Sequence, residues 1–254
     1  MSNHVLTQTR DRVARIQLNR PDKKNALTAE MYQALADAIG AAEGDAQVRV
    51  LLLHGAPDCF CAGNDLKDFL ERPPHAENSP VFGFMQAISR AQKPIVAAVA
   101  GPAVGIGTTM LLHCDLVYAA PDTRFQLPFT SLGLVPEAAS SLLLPMIAGY
   151  PRAAELLLLG QPFNAEKALA AGLVTEVIPG DLLEYAHSAV MTLAELPPSP
   201  VRLTKALMKR RFADTVAEQM HQEGMLFRER LAAPEAKEAL SAFLEKRKPD
   251  FSRF

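Results

Sequence analysis

The hydrophobic positions along the chain form short, nearly continuous runs that are separated by longer segments with a single apolar face. Five runs have the length of a strand, and they occupy residues 13–19, 48–55, 93–101, 114–120 and 172–179. Apolar strands that alternate with helices are typical of a parallel sheet covered on both faces. The pattern therefore predicts an α/β fold.

The segments between these strands carry helix signals. Thr28 stands before a segment in which Met31, Leu35 and Ile39 fall four residues apart, so we expect Thr28 to cap an amphipathic helix. A polar stretch broken by prolines covers residues 71–80 and is expected to be irregular. Further helices are predicted at residues 81–92, at the end of 102–113, and at 137–148, 151–159 and 165–171.

The strand pattern stops after the sequence LPPSP at residues 196–200. The rest of the chain is helical in pattern and rich in charge, which predicts a core of residues 1–196 followed by a helical region of residues 197–254. The apolar stripe of these last helices must be buried somewhere. A neighbouring subunit and the chain's own core are both open as the covering surface.

Composition bounds the class of protein. The 254 residues are 49% hydrophobic and carry a formal net charge of −2, with a pI of about 6.3. This balance gives no reason to expect a nucleic-acid partner. No apolar window approaches the roughly 18 residues of a membrane span, and the N-terminal residues lack the pattern of a signal peptide, so we expect a cytoplasmic protein. Three cysteines, an odd count, argue against a disulfide framework.

Several chemistries lack their motifs. The chain has no G-x-S-x-G, no G-x-x-x-x-G-K-[ST] and no H-E-x-x-H, so a nucleophile elbow, a P-loop and a catalytic zinc are not expected. His113 follows an apolar helix and is expected to be a core or helix-end residue.

Two glycine-bearing loops, residues 61–66 and 101–107, follow apolar strands. Glycine allows close backbone approach, and free N–H groups in such loops can stabilise a developing oxyanion; tight turning between elements is the other interpretation.

One acid stands alone in the sequence GLVPEAASSLLLP, residues 133–145. Glu137 directly follows a proline, and its surroundings are uncharged. A proline with an acid beside it is an ordinary signal for the first turn of a helix. A lone acid among apolar residues is also suited to be a desolvated base. A carboxylate can also do both.

The order of the motifs and their sequences resemble the enoyl-CoA hydratase/isomerase (crotonase) superfamily over about residues 5–250. The resemblance rests on LNRPDKKNALT, FCAGNDL, GPAVGIGTTMLL, SLGLVPEAASS and AAGLVTEVIP. The motif sequences are most similar to those of peroxisomal-type Δ3,Δ2-enoyl-CoA isomerases. It implies a crotonase-like spiral of repeated ββα units with a C-terminal helical trimerisation region. It also implies an acyl-CoA substrate and a homotrimer or hexamer.

The resemblance also implies the site. The amides of Asn64 and Ile106 would hold the thioester oxygen, and Glu137 would be the base. No metal and no cofactor are expected, because the reaction moves only a proton and coenzyme A is part of the substrate. Residues 67–90 are expected to shape the acyl pocket, and Lys246 or Lys248 of a neighbouring subunit to reach the nucleotide. The residues expected to border coenzyme A within the chain are Lys23, Lys24, Ala26, Ala62, Asp65 and Leu66.

Two departures from the resemblance decide between reactions. Typical hydratases carry two glutamates, and the matching positions here are Thr109 and Phe129. Neither side chain exchanges a proton at neutral pH, whereas hydration needs a water to be activated and a proton to be delivered. The sequence therefore predicts a Δ3,Δ2-enoyl-CoA isomerase with a single base. The alternatives are another crotonase reaction, such as hydration or thioester cleavage, and a non-catalytic acyl-CoA-binding protein.

Overall fold

Two sheets organise the chain in the computed structural model, which describes residues 4–71 and 79–254. In the larger sheet the first two strands are antiparallel, and the other neighbouring strands are parallel. In the described residues the large sheet runs in the order β1 (Val5–Arg10), β2 (Val13–Leu18), β3 (Val50–His54), β4 (Ile95–Val99), β6 (Leu116–Ala119) and β9 (Glu176–Val177). The small sheet has the order β5 (Pro102–Val104), β7 (Arg124–Gln126) and β8 (Phe163–Asn164).

The predicted parallel strands are confirmed at all five places, and their burial explains the apolar runs. Every residue of β3 and β4 is buried, as expected for strands covered on both faces. The chain passes from β4 to β5 and then to a helix, and it passes from β6 to β7 before the next helices. Each of these two segments thus adds one strand to the large sheet and one to the small sheet. The strand β1 and the small sheet were not predicted, because their short segments alternate weakly or follow turns.

The helices surround the sheets, and Thr28 caps the first of them by accepting a hydrogen bond from the Met31 amide at 3.3 Å, as predicted. Residues 72–78 of the stretch expected to shape the acyl pocket lie outside the described residues. None of the described helices combines the length and apolarity needed to cross a membrane. The helices are α1 (Ala29–Gly44), α2 (Leu66–Glu71), α3 (Pro80–Arg90), α4 (Ile106–Thr109), α5 (Ser140–Ala148), α6 (Tyr150–Leu159), α7 (Ala165–Ala170), α8 (Leu182–Glu195), α9 (Pro198–Lys209), α10 (Ala213–Ala232) and α11 (Pro234–Leu244).

The start of α5 corrects the sequence-based prediction. The helix begins at Ser140, three residues later than expected, so the interpretation of Glu137 as a first-turn helix residue is wrong. Ala138 and Ala139 have φ values of 58° and 56°, in the left-handed region. Residues in the left-handed region cannot be part of a right-handed helix, so Ala138, Ala139 and the preceding Glu137 lie before α5.

The C-terminal helices fold back on their own chain. Met220 and Phe227 of α10 and Ala236 of α11 belong to the main hydrophobic core. Lys205 of α9 is buried, and its ammonium group lies 2.6 Å from the carboxylate of Asp115. The chain's own core thus covers one part of the apolar stripe. Another part stays exposed in the single chain, including Leu203, Leu207, Met208, Phe243 and Leu244.

Candidate active site

A cavity of about 540 Å³ lies where both predicted glycine loops meet the C-terminal helices. Its lining is mainly apolar, with a few polar groups, which is typical of small-molecule sites. Helices α10 and α11 contribute Phe227, Leu240 and Phe243. The loops and the segment before α5 contribute Lys23, Ala26, Ala62, Gly63, Asn64, Asp65, Leu66, Val104, Gly105, Gln126, Phe129, Leu134 and Glu137.

The two glycine loops run side by side in the same direction. Cys61 and Ala103 form an isolated parallel bridge, in which the Cys61 amide donates to Pro102 O and the Val104 amide donates to Cys61 O, both at 2.9 Å. Asn64 and Ile106 each follow this bridge by three residues, so their amides leave the paired segment at the same end. Within the described residues neither N–H group donates a hydrogen bond to the protein. The pair is therefore free to bind an oxyanion.

Two glycines make this close approach possible. Gly105 has a φ of 55° and a ψ of −119°, which a residue with a side chain rarely adopts. A Cβ on Gly107 would lie 2.5 Å from the carbonyl oxygen of Cys61. The first turn of α4 thus packs against the loop that carries Asn64. The Ile106 side chain is buried in the core, so only its backbone is suited to meet a ligand.

The position of Asn64 is fixed by its neighbours. Leu27 donates to Gly63 O at 2.8 Å and accepts from the Asp65 amide at 2.9 Å, so the backbone is bound on both sides of Asn64. The hydroxyl of Tyr32, a buried residue of α1, donates to Oδ1 of Asn64 at 2.5 Å. Within the described residues the Asn64 amide itself donates no hydrogen bond to the protein.

Glu137 is a buried acid that faces the cavity. It is 5% exposed, and within the described residues its Oε1 has no hydrogen-bond partner. Burial raises the pKa of Glu137 from 4.5 to about 8, and the nearby charge of Glu223 adds to this effect. A carboxyl group with a pKa near the working pH is well suited to take and return a proton.

The turn that carries Glu137 is held from two sides. Glu223 of α10 accepts from the amides of Ala139 at 2.6 Å and Ser141 at 2.9 Å. Nε2 of His113 donates to Ala138 O at 2.8 Å, because a carbonyl oxygen can only accept. Burial lowers the pKa of His113 to about 4, so the ring is neutral. Each left-handed alanine costs roughly 1–2 kcal/mol, which these bonds offset.

The two positions at which the resemblance expects the glutamates of a hydratase are buried in the structure. Thr109 lies in α4 with no exposure, and Phe129 lines the cavity. Of the described residues that line the cavity, the acids are Asp65 and Glu137. Asp65 already pairs with Arg20, whose Nη1 lies 2.7 Å from its carboxylate. This leaves Glu137 as the available base among them.

Most of the residues expected to border coenzyme A lie around the cavity. Lys23, Ala26, Ala62, Asp65 and Leu66 line it. Lys24 does not: its side chain is exposed, and its carbonyl accepts from the Ala62 amide. Lys246 and Lys248 are exposed and do not line the cavity. The coenzyme A contacts themselves stay predictions.

Arg20, which the sequence analysis did not single out, contacts two residues that line the cavity. Its guanidinium group donates to Asp65 at 2.7 Å and to Ala26 O at 2.9 Å. Partial burial raises the pKa of Asp65, but the hydrogen bonds from Arg20 and from the amides of Asp68 and Lys67, together with the charge of Arg20, outweigh burial and lower the pKa below its ordinary value. The pair ties the basic loop to the loop that carries Asn64. Over residues 4–71 and 79–254 no group of three or more side chains is arranged to bind a metal ion.

Glu223 was also missed, although the sequence carried a signal for it. In α10 the buried positions are Met220, Glu223, Gly224 and Phe227, spaced three or four residues apart on one face. An acid on the apolar stripe of a helix requires a partner inside the protein. The sequence could not show that this partner is the turn before α5.

Comparisons with known proteins support the same class. The sequence profile described as Enoyl-CoA hydratase/isomerase matches residues 8–253. The chain is 36% identical to Enoyl-CoA delta isomerase 2 of Rattus norvegicus, across 98% of this chain and 65% of the rat protein. It thus spans slightly less than two thirds of that relative's length. A probable enoyl-CoA hydratase of Mycobacterium leprae is 32% identical, across 98% of this chain and 97% of that protein.

Two solved structures match the whole fold. The crystal structure of an enoyl-CoA hydratase/isomerase from Pseudoalteromonas atlantica T6c gives a TM-score of 0.94 at 45% identity, covering 98% of this chain and 100% of that one. Pseudomonas aeruginosa OdaA gives a TM-score of 0.93 at 47% identity, covering 96% and 99%. The predicted crotonase-like α/β fold is confirmed. The chain belongs to the enoyl-CoA hydratase/isomerase family.

Proposed function

We propose that this protein is a Δ3,Δ2-enoyl-CoA isomerase, which moves the double bond of a 3-enoyl-CoA to the 2-position with a single base. The observation that carries the proposal is the buried carboxyl group of Glu137, whose Oε1 has no partner among the described residues and which faces the same cavity as the unused amide of Asn64. The Enoyl-CoA delta isomerases among the relatives support the choice of reaction.

The proposed reaction begins with proton abstraction. The C2 protons of a 3-enoyl-CoA lie between a thioester and a double bond, and the carboxylate of Glu137 removes one of them. The electron pair spreads into a dienolate, whose oxygen accepts hydrogen bonds from the amides of Asn64 and Ile106. The same carboxyl group then returns the proton to C4. Nothing is added or lost overall, so one base is sufficient.

Magnitudes show why a buried base and two amides belong together. The pKa of the C2 protons lies on the order of 10 units above the pKa of a free glutamate, and this difference corresponds to roughly 14 kcal/mol. Raising the pKa of Glu137 from 4.5 to about 8 narrows this gap by roughly 5 kcal/mol. Two oxyanion donors contribute about 6–8 kcal/mol. The remaining gap of a few kcal/mol is compatible with turnover.

The relatives named as hydratases define the main competing reaction. Hydration would need a second proton-exchanging group near the double bond. Thr109 and Phe129 occupy the positions where the resemblance expects such groups, and the acid Asp65 is held by Arg20. The structure thus favours proton transfer within the substrate over addition of water.

We also propose that the protein acts on acyl-CoA as a homotrimer or hexamer. The apolar side chains of Leu203 and Leu207 on α9, both 61% exposed, provide a surface of the kind that subunits cover. Sedimentation of the purified chain would measure the assembly. A monomer at micromolar concentration would contradict this part of the proposal.

The activity is tested by incubating the protein separately with 3-hexenoyl-CoA and 2-hexenoyl-CoA and analysing the products by mass and retention time. We expect 2-hexenoyl-CoA from the first incubation, and a loss of roughly 10²–10⁴-fold in kcat for Glu137→Gln with coenzyme A ester binding retained. Formation of 3-hydroxyhexanoyl-CoA or free coenzyme A without migration of the double bond would contradict the isomerase. Binding without turnover in the unmodified protein would indicate a non-catalytic binding protein.

A further inference from the structure

We propose that Glu223 is a positioning residue for Glu137, which it directs from α10 by fixing the turn at Ala138 and Ala139. The inference rests on the proposed function, because it takes Glu137 to be the base. It adds a role for the C-terminal helices, which would complete the site within the same chain and not only contribute to its lining.

The carboxylate of Glu223 is fully engaged by one turn. Its Oε2 accepts from the Ala139 amide at 2.6 Å, and its Oε1 accepts from the amide and the hydroxyl of Ser141. Gln219, one helical turn earlier, donates to the Ser141 hydroxyl at 2.8 Å. Glu223 does not line the cavity, and three donors from the protein already bind its carboxylate, which argues for positioning.

The contact replaces a local helix cap. Ser, Thr, Asp and Asn normally cap the helix that they precede, as Thr28 does for α1. The residue before α5 is Ala139, which has no side-chain hydrogen bond to offer. The free amides at this end are satisfied by Glu223, which is 84 residues away from Ala139 in sequence. The direction of Glu137 therefore depends on the docking of α10.

His113 supports the same turn from the opposite side. Its Nε2 binds Ala138 O, while Glu223 binds the next amide along the chain. Two successive left-handed alanines would otherwise relax toward a regular helix start. With one end of the turn held by the 3-10 helix at Met110–His113 and the other by α10, the Glu137 side chain is held toward the cavity.

The charge of Glu223 also acts on Glu137, whose pKa it raises together with burial. Lys23, Asp65 and Lys67 line the same cavity as Glu137. Among the described residues, the titratable groups near Glu137 also include Tyr32 from α1, Cys61 from the loop after β3, and His113 through the turn. Burial raises the pKa of Tyr32 and Cys61 and lowers that of His113, so all three are neutral near pH 8. Burial raises the pKa of Glu223 above its ordinary value, and its three hydrogen-bond donors oppose part of this rise.

The test compares Glu223→Gln with the unmodified protein in steady-state kinetics on 3-hexenoyl-CoA between pH 6 and pH 10. We expect kcat to fall at least about tenfold with KM changed less than about threefold, because a misdirected base slows chemistry more than binding. We also expect the rise of kcat/KM to move to lower pH, because the repulsive charge is gone. Glu223→Asp, which keeps the charge on a shorter arm, should restore the pH midpoint without restoring kcat.

The matched control is Glu218→Gln, an exposed acid on the same helix that accepts a hydrogen bond from Gln222. It should leave kcat, KM and the pH midpoint unchanged. If Glu223→Gln does not fold, Ser141→Ala removes one of the three donors and leaves the carboxylate in place. The expected result is then a smaller loss of kcat with the same pH midpoint, and an unchanged kcat overturns the proposal.

A second readout does not depend on turnover. Carbon-13 labelling of the glutamate carboxyl groups, with the Glu137 signal assigned by Glu137→Gln, reports the pKa of Glu137 by NMR. A lower pKa of Glu137 in Glu223→Gln supports the inference even if 3-enoyl-CoA is not converted, in which case only the proposed function fails. A drop in melting temperature, with kcat and the Glu137 titration unchanged, assigns Glu223 a purely structural role and overturns the proposal.

Discussion

The hydroxyl of Tyr32 donates a 2.5 Å hydrogen bond to Oδ1 of Asn64, and this contact links the first helix to the loop that offers a free amide to the cavity. Tyr32 is buried, and its ring lies against Phe84 with the ring centroids 5.7 Å apart. Because the phenol is buried and packed, its hydrogen bond favours one orientation of the Asn64 side chain. The relationship connects a core residue to the proposed oxyanion site.

Tyr32→Phe should therefore weaken the oxyanion site without unfolding the protein. We expect kcat on 3-hexenoyl-CoA to fall roughly 3–30-fold, and the free energy of unfolding to change by only about 1 kcal/mol for the lost hydrogen bond. Tyr118→Phe is the matched control, because Tyr118 is also buried but packs on the other face of the large sheet. Equal effects of the two substitutions would show that the Asn64 contact has no special role.

The pH dependence of the reaction should report Glu137. Its carboxyl group must be ionised to act as a base, and its pKa in the ligand-free protein is about 8. The value of kcat/KM should rise tenfold per pH unit below that pKa and level off above it. Stopped-flow or steady-state rates between pH 6 and pH 10 provide the measurement. A midpoint near the ordinary glutamate value would contradict the buried base.

Glu137 should also make the protein less stable at alkaline pH. Its pKa is about 8 when folded and 4.5 in an unfolded chain, so between these values the folded state binds more protons. The contribution of Glu137 to stability therefore falls as pH rises from about 4.5 to about 8, by up to roughly 5 kcal/mol, and is constant above. Glu137→Gln removes this dependence.

The measurement is urea denaturation at pH 5 and pH 8.5. Glu137→Gln should match the unmodified protein at pH 5 and exceed its stability by several kcal/mol at pH 8.5. Glu30→Gln, at an exposed position in the first turn of α1, serves as the control and should show no such difference. The same difference at both pH values would mean that packing, and not ionisation, explains the gain.

The close approach of the two glycine loops is tested at Gly107. In Gly107→Ala the new Cβ would lie 2.5 Å from Cys61 O and 3.0 Å from Cys61 Cβ, so α4 must move away from the loop that carries Asn64. Displacing one of the two amides should lower kcat by roughly 10²–10³-fold, the usual effect of losing an oxyanion donor. Circular dichroism would verify that the protein is folded.

Gly40→Ala is the control for this substitution. Gly40 is exposed in α1, outside the stretch expected to shape the acyl pocket, and a Cβ there has nothing within 4 Å. The change should leave kcat unaffected and stabilise the helix by about 0.5–1 kcal/mol. Full activity in Gly107→Ala would show that the two amides do not act as a pair.

The pattern of apolar residues was sufficient to predict the main strands and most helices. Strands such as β3 and β4 are buried on both faces, so their apolar character does not depend on distant detail. The strand β1 and the small sheet were missed, because their residues alternate weakly and their pairing is set by other segments. The start of α5 was placed too early, because proline and glutamate suggested a helix start that two left-handed alanines prevent.

The sequence by itself determined the fold class and singled out Glu137 as an acid without local partners. Hydrophobic periodicity and an isolated charge depend only on the order of residues along the chain. Only the tertiary structure decided that the Asn64 and Ile106 segments lie in parallel register, and that Glu223 and His113 hold the turn beneath Glu137. These contacts join residues far apart in sequence. Their geometry arises from the packing of helices against sheets, which no local pattern encodes.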